Sequence, residues 1–193
     1  PPEKTEEEIR EQIEDVGTYP TVDIPSRKLR SSSLSSFGVK TALSEEDGTT
    51  PTHLYKPITK EGKLSGYYVK TVSKPSYEWS IGDVKNGDLF GWSEAKSSGA
   101  YRLIITEGHE DAVALHRIFE MYGDPEWHPA IVSLTNGVNS VGKSLARQAD
   151  DINRLFKEVI LCFDDDEAGQ KAIQEAMHIL PDAKSVILPK KDA

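Results

Sequence analysis

Strand-like and helix-like patterns alternate four times after residue 100, and this alternation constrains the fold more than any other feature of the sequence. Short apolar runs typical of buried strands precede longer segments in which apolar residues recur every three or four positions. The predicted strands are 101–106, 130–134, 159–163 and 185–188, and the predicted helices are 110–122, 141–156 and 168–180. Strands and helices that alternate in this way form a parallel sheet covered by helices. This half is therefore predicted to be an α/β domain with a parallel sheet of about four strands.

The segment before residue 101 has a different pattern, that of a smaller α+β subdomain. A serine-rich stretch at 31–36 precedes a glycine and predicts a short helix that ends there. Two stretches of alternating apolar and polar residues, 53–59 and 64–72, flank a polar turn and predict a β-hairpin. Residues 1–22 have few apolar positions and predict a polar helix that serves as a leader or linker.

Charge is distributed unevenly over the three expected parts of the chain, whose net charge is −9. Acidic and basic residues number 7 and 2 in the leader (1–22), 9 and 11 in the N-terminal α+β subdomain (23–100), and 16 and 10 in the C-terminal α/β subdomain (101–193). Only the middle part is mildly basic, so its lysines and arginines are the candidate phosphate contacts.

Composition excludes two classes of protein. No apolar run approaches the roughly 18 residues of a membrane-spanning helix, so we expect no membrane partner. The single cysteine, Cys162, excludes an internal disulfide and a cysteine-rich zinc module. The chain opens without methionine and ends at Lys-Asp-Ala, and we expect it to be a piece of a longer protein.

Acidic residues follow three of the four predicted strands. Glu107 follows the first, Asp164 and Asp166 follow the third, and Asp192 follows the fourth. Because the carboxyl ends of parallel strands meet at one edge of a sheet, these carboxylates are expected to converge there. Alternate residues share a direction, so Asp164 and Asp166 converge while Asp165 points away. Oxygen ligands without sulfur suit Mg²⁺ or Mn²⁺, and the sequence therefore predicts a metal site at this edge.

Helix capping is an alternative interpretation of the aspartates. Acidic residues stabilise the first turn of a helix, and Asp164 and Asp166 immediately precede the helix predicted from residue 168. Capping explains one or two of these acids. It does not explain Glu107, which ends a different strand.

A P-loop is an alternative interpretation of residues 137–144. Their sequence, Gly-Val-Asn-Ser-Val-Gly-Lys-Ser, satisfies the Walker A pattern, follows a predicted strand and precedes a predicted helix. Only 49 residues follow Ser144, which is too few to complete the sheet of a P-loop NTPase. We therefore treat a P-loop NTPase as the weaker alternative.

Four segments of the C-terminal half carry a specific combination of motifs. They are Ile-Thr-Glu-Gly-His-Glu-Asp-Ala at 105–112, Ser-Leu-Thr-Asn-Gly at 133–137, Leu-Cys-Phe-Asp-Asp-Asp-Glu-Ala-Gly-Gln-Lys-Ala at 161–172 and Leu-Pro-Lys-Lys-Asp-Ala at 188–193. Together they resemble the Toprim domain, and more closely the primase half of bacteriophage primase–helicases. The resemblance extends over about residues 23–193 and implies a Toprim-type sheet preceded by a smaller α+β subdomain.

This resemblance implies roles for individual residues. Glu107 matches the catalytic glutamate of the family, and Asp164 and Asp166 match its metal-binding pair. Asp192 matches the acidic residue of the family's Lys-Asp-Ala motif, a further metal ligand. Lys74 matches a lysine that holds nucleotide or template phosphates.

Two positions depart from the family pattern. His109 stands where a second glutamate is usual, and Tyr68 stands where a lysine is usual, which leaves Lys70 as the nearest base. The first departure bears on a secondary metal contact and the second on how nucleotide is held. Asn136 and Gly137, on the loop after the second predicted strand, are expected to border the nucleotide.

The resemblance implies a DNA primase, which synthesises short RNA primers on single-stranded DNA by Mg²⁺- or Mn²⁺-dependent nucleotidyl transfer. The expected partners are the DNA template, ribonucleoside triphosphates, and the zinc-binding and helicase modules of the same full-length chain, which this sequence lacks. The expected location is the cytoplasm of a bacterial host. Another Toprim enzyme, such as a nuclease, and a catalytically silent replication module remain alternatives. Whether Glu107 acts as metal ligand or general base is also open.

Overall fold

Two separate sheets, one antiparallel and one parallel, organise the chain. The structure, a computed structural model, describes residues 4–186, without the side chains of residues 139 and 140. The sheets belong to two units, Pro1–Gly87 and Asp88–Ala193. The predicted boundaries after residues 22 and 100 stay predictions.

The first unit contains an antiparallel sheet of four strands in the order β1-β2-β3-β4. Its elements are helices α1 (Glu6–Gly17) and α2 (Ser31–Ser36) and strands β1 (Lys40–Leu43), β2 (Pro51–Lys60), β3 (Lys63–Thr71) and β4 (Glu78–Gly82). β2 and β3 form the predicted hairpin. Its turn residues, Glu61 and Gly62, have φ angles of 51° and 78°. Two consecutive positive φ angles are typical of a type I′ turn, whose twist matches that of the strands.

The helix of the acidic leader packs on this sheet. Val16, near the end of α1, is 2% exposed and clusters with Tyr67, Val69 and Ile81 of β3 and β4. Thr5 begins the helix with a capping box, an arrangement that satisfies backbone N–H groups at the start of a helix. The leader therefore contributes an apolar residue to the first unit, although its sequence has few apolar positions.

The second unit contains a parallel sheet of four strands in the order β6-β5-β7-β8. Its elements are strands β5 (Arg102–Thr106), β6 (Ala130–Ser133), β7 (Glu158–Cys162) and β8 (Lys184–Ser185), and helices α3 (Trp92–Ser97), α4 (His109–Tyr122), α5 (Val141–Leu155) and α6 (Glu167–Ile179). The predicted fold class, a helix-flanked parallel sheet with a smaller α+β subdomain, is confirmed. The fourth strand begins one residue earlier than predicted, and its predicted end lies outside the described residues.

The core of the second unit fixes the two central strands against the helices. Leu103 and Ile105 of β5 are fully buried, and they share one core with Leu145 and Ile152 of α5 and Ile173 of α6. The parallel neighbours β5 and β7 therefore end side by side, and the residues that follow the two strands lie at the same edge of the sheet. Within residues 4–186, no helix is both long enough and apolar enough to cross a membrane.

Candidate active site

The register of the two central strands brings Glu107 next to the segment that follows β7. Thr106, the last residue of β5, pairs with Cys162, the last residue of β7. Glu107 follows directly, and its Oε2 lies 3.5 Å from the backbone nitrogen of Asp164. The Asp164 N–H thus donates a long hydrogen bond to the Glu107 carboxylate. The structure therefore brings together two of the predicted site residues.

Asp166 is the N-cap of α6. Its Oδ1 accepts a hydrogen bond from the Gly169 N–H at 2.9 Å. Asp164 and Asp166 are half-buried, whereas Asp165 is exposed and accepts a hydrogen bond from the Gln170 side chain. The burial of the three consecutive aspartates therefore alternates, as the sequence predicts. The capping interpretation applies to Asp166, but a cap that engages one carboxylate oxygen is compatible with metal binding by the other.

Gly169 allows α6 to begin close against the Asp164 backbone. Gly169 is buried, and a Cβ atom at this position would overlap the Asp164 carbonyl oxygen. The requirement for glycine comes from lack of space and not from an unusual φ angle. Gly169 therefore allows the first turn of α6 to lie directly against the segment that contains Asp164 and Asp166.

The surroundings of Glu107 raise the pKa of its carboxyl group. Burial is the largest cause and the negative charge of Asp164 the next; the backbone N–H of Asp164 opposes them, and the charges of Asp166 and Asp111 add to them. Burial, Asp111 and Asp164 likewise raise the pKa of the Cys162 thiol. Carboxylates held together in this way repel one another, and a bound cation would offset the repulsion.

The donor set fits a hard divalent cation that takes its remaining ligands from elsewhere. Among residues 4–186, no three His, Cys, Asp or Glu side chains are grouped closely enough to hold a metal ion by themselves. Asp192, the fourth predicted ligand, lies outside the described residues. Mg²⁺ is commonly bound by one or two carboxylates together with water and substrate phosphates. Glu107 and Asp164 fit such an incomplete set of oxygen ligands.

The other predicted contacts lie in two different units. Asn136 is exposed and Gly137 begins a 3₁₀ turn after β6, both in the second unit. In the first unit, Lys70 of β3 forms an ion pair with Glu78 at 3.1 Å, and Lys74 is exposed in the loop that leads to β4. Lys74 is therefore the more accessible of the two predicted lysines.

The two residues that depart from the family pattern pack in ordered surroundings. His109 begins α4, and its ring stacks on Phe90 with the ring centroids 4.5 Å apart. Tyr68 is half-buried in β3, and burial raises the pKa of its hydroxyl group. Neither side chain supplies the charge of the glutamate or lysine that is usual at its position.

A carboxylate of the protein itself lies at the start of α5, where a P-loop would bind phosphate. The Gly142 N–H donates to Oε1 of Glu175 in α6 at 3.1 Å. Phosphate binding at a helix start depends on its free N–H groups, and Glu175 takes one of them. This contact weighs against the P-loop interpretation of residues 137–144.

Asp111 belongs to the site although the sequence reasoning gave it no role. Its Oδ2 accepts a hydrogen bond from the Gly108 N–H at 3.0 Å, and the Thr106 hydroxyl donates to the Gly108 carbonyl oxygen at 3.0 Å. These two bonds hold the turn that contains Glu107. An available signal was the position of Asp111, since an acid three residues after the N-cap of a helix, here Gly108, has the spacing of a capping box.

Comparisons with known proteins agree with this geometry. Residues 104–193 match the sequence model of a family described as Toprim-like. The chain is 35% identical over 98 residues to a DNA helicase/primase of Enterobacteria phage T3, and this match covers 50% of the chain and 16% of that protein. The matched segment thus spans about a sixth of the length of this relative.

Two solved structures share the fold. The primase fragment of the bacteriophage T7 primase-helicase protein matches with a TM-score of 0.70 and 24% identity, over 92% of this chain and 73% of that chain. A T7 structure in which lagging-strand DNA polymerase interacts with primase domains bound to an RNA/DNA hybrid and dTTP matches with a TM-score of 0.68 and 25% identity, over 91% and 82%. The resemblance seen in the motifs is confirmed: residues 104–193 match the Toprim-like family model, and the chain is similar in sequence to a phage DNA helicase/primase and in fold to the T7 primase fragment.

Proposed function

We propose that the chain is the primase part of a phage primase–helicase and that it joins ribonucleotides into short RNA primers on single-stranded DNA. The observation that carries the proposal is the approach of Glu107 to Asp164 at the carboxyl edge of a Toprim-like sheet. The names of the T3 and T7 relatives support it. Nucleotidyl transfer suits an acidic edge of this kind, because the triphosphate needs a cation to offset its charge.

Glu107, Asp164, Asp166 and Asp192 are the residues that would hold Mg²⁺ or Mn²⁺. When bound, the ion supplies charge neutralisation and orientation for an in-line displacement. The contribution of the chain is to keep the carboxylates together: β5 and β7 place Glu107 and Asp164, and the cap bond to Gly169 orients Asp166. The raised pKa of Glu107 also suits a general base, and ligand and base remain alternative roles for it.

Lys70, Lys74, Asn136 and Gly137 are the proposed contacts to nucleotide or template. Lys74 is exposed and offers a point charge to a phosphate group. Lys70 would exchange its ion pair with Glu78 for such a contact. The proposed partners are single-stranded DNA, ribonucleoside triphosphates, and the zinc-binding and helicase modules of a longer chain, in the cytoplasm of a bacterial host.

An assay with single-stranded template, Mg²⁺ and labelled ribonucleoside triphosphates tests this function, using the chain alone and in its full-length context. Short RNA products that disappear in EDTA and in Asp164→Asn support it, with Asp165→Asn as a control that removes a neighbouring exposed charge. Cleavage of the template without RNA synthesis would reveal a nuclease. Neither product in either context would indicate a catalytically silent module.

A further inference from the structure

Three buried polar residues of the second unit are joined by hydrogen bonds beside the carboxyl end of β6. Thr135, two residues after β6, is 4% exposed, and its hydroxyl group donates to the Asp88 carbonyl oxygen at 2.9 Å. Gln148 of α5 is 6% exposed, and its side-chain N–H donates to Oδ1 of Asp88 at 3.2 Å. Asp88 is itself 7% exposed. We call Asp88, Thr135 and Gln148 the Asp88 network.

Backbone hydrogen bonds tie the same stretch of chain to its neighbours. Ser133 and Phe90 exchange two N–H···O bonds of 3.0 and 3.1 Å, as an antiparallel bridge. The Leu134 N–H donates to the carbonyl oxygen of Thr106, the last residue of β5, at 3.1 Å. With the bond of Thr135 to the network, three consecutive residues are each bonded to a different partner. The start of the loop after β6 is therefore held at every residue.

The exposed end of this loop lies between two buried residues. Asn136, directly after Thr135, is exposed. Gly137 has a φ angle of 61°, in the left-handed region that favours glycine, and a 3₁₀ turn then leads into α5. Val141, the first residue of α5, is fully buried. The placement of Asn136 and Gly137 therefore depends on the bonds of Thr135 on one side and on the packing of α5 on the other.

Stability alone does not account for the Asp88 network. Buried polar groups cost free energy unless they are fully paired, and apolar side chains of similar volume often stabilise a core equally well. Among residues 4–186, Oε1 of Gln148 is buried and accepts no hydrogen bond, so the network is incompletely satisfied. Directional hydrogen bonds nevertheless fix a position more narrowly than apolar contacts do. The network therefore contributes to the geometry of the loop more than to the stability of the core.

We propose that Thr135 and Gln148 are positioning residues for nucleotide binding, which act through Asp88 on the loop that carries Asn136 and Gly137. The inference rests on the proposed function, in which Asn136 and Gly137 contact the nucleotide. Thr135 and Gln148 are buried and act through the loop without touching the nucleotide. A loop that is already held in one arrangement loses less conformational entropy when its ligand binds. The network should therefore affect nucleotide affinity and not the chemical step.

Thr135→Val tests the proposal, because it removes the hydroxyl group and keeps the branched shape of the side chain. The affinity of the chain for a fluorescent ribonucleoside triphosphate in Mg²⁺, measured by anisotropy, should fall about three- to tenfold. In the primer assay, KM for ribonucleoside triphosphates should rise by a similar factor while kcat stays within about twofold. Thr135→Ser, which keeps a hydroxyl group, should restore most of the affinity.

Thr41→Val is the matched control in the first unit. Thr41 of β1 is also fully buried, and its hydroxyl group also donates to a backbone carbonyl oxygen, that of Pro20, at 2.9 Å. The control should lower the melting temperature about as much as Thr135→Val and leave nucleotide affinity unchanged. An equal loss of affinity in both variants would overturn the proposal, since general destabilisation would then explain it.

The remaining outcomes separate this inference from the proposed function. Thr135→Val that binds nucleotide as tightly as wild type would overturn the inference, and so would a wild type without measurable affinity for nucleotide. If Thr135→Val does not fold, Gln148→Met decides by the same measurement, because it removes the donor to Asp88 and keeps the length of the side chain. A wild type whose nucleotide affinity depends on Thr135 but which makes no primers would overturn the proposed function alone.

Discussion

Oε2 of Glu107 lies 3.5 Å from the backbone nitrogen of Asp164, so the residue after β5 meets the segment after β7 at the carboxyl edge of the parallel sheet. The charges of Asp111 and Asp166 also act on Glu107. Negative charges at a half-buried site repel one another unless a bound proton or cation neutralises them. Their repulsion therefore has consequences for stability that can be measured without any assay of activity.

In EDTA and at neutral pH, Glu107→Gln should be more stable than wild type. The pKa of Glu107 is raised in the fold above its ordinary value of 4.5, so the folded state binds this proton more tightly than the unfolded state. The associated stability is fully present below about pH 4.5 and is lost as the pH rises through the folded pKa. The advantage of the variant should therefore be absent in acid and grow with pH.

Thermal melts of both proteins in EDTA between about pH 4 and pH 8 check this dependence. Glu46→Gln, at an exposed position of the first unit, is the control for a general effect of net charge. A Glu107→Gln protein that is less stable than wild type over the whole range would contradict the expected repulsion.

The cap bond of Asp166 predicts different effects for two substitutions at the same position. Asparagine retains an oxygen for the Gly169 N–H, so Asp166→Asn should keep the cap and should not lower stability in EDTA. Alanine removes the cap, and Asp166→Ala should cost about 1 kcal/mol in free energy of unfolding. Denaturant unfolding measures both values. Equal losses for Asn and Ala would mean that the side chain of Asp166 stabilises the fold through its charge and not as a cap.

Sequence patterns were sufficient for the parallel sheet because its strands and helices depend on local periodicity. The apolar run 101–106 predicts a buried strand, and both faces of β5 are covered. The sequence also predicts that Asp164 and Asp166 follow the third strand, and both residues lie directly after β7. The same regular alternation made the order of elements in the second unit readable. These features are local consequences of burial on a strand or on one face of a helix.

Features that depend on tertiary contacts were not predictable in the same way. α3 has only six residues, too few to show a helical period. Val16 of the leader is buried because β3 and β4 supply an apolar surface for it, and nothing in the leader's own sequence shows that surface. The hydrogen bonds of Asp111 and Gly108 likewise depend on how α4 starts after β5. Here the environment, and not the local pattern, decides the role of the residue.

Val16→Ala should destabilise the first unit by about 1–3 kcal/mol, because it removes buried methyl groups from the contact of α1 with Tyr67, Val69 and Ile81. Glu11→Ala, at an exposed position of the same helix, should have little effect. Chemical denaturation of the two variants measures the difference. If Val16→Ala and Glu11→Ala unfold at the same denaturant concentration as wild type, the contact of α1 with the sheet contributes no stability.

Gly169→Ala should disturb the acidic edge directly. The added methyl group would overlap the Asp164 carbonyl oxygen, so the start of α6 must shift, at a cost of about 1–3 kcal/mol. Gly17→Ala is a matched control, because no atom lies within 4 Å of a Cβ built there. That control should be neutral or stabilising by up to about 1 kcal/mol. A Gly169→Ala protein as stable as wild type would show that α6 has more room than the structure gives it.

The last prediction concerns the cation itself. If Mg²⁺ binds at Glu107 and Asp164, it should stabilise the wild type by RT ln(1 + [L]/Kd), about 2.7 kcal/mol at a hundredfold excess over Kd. Asp164→Asn should lose most of this gain, because an amide oxygen is a weaker ligand than a carboxylate for a hard cation. Glu107→Gln should be more stable than wild type in EDTA and less stable in Mg²⁺, so the order of the two proteins should reverse. Capping alone predicts no such reversal, since a cap does not depend on metal. Thermal melts of the three proteins with and without millimolar Mg²⁺ distinguish these cases: a wild type whose melting temperature is the same in Mg²⁺ and in EDTA would leave these carboxylates without a role in metal binding.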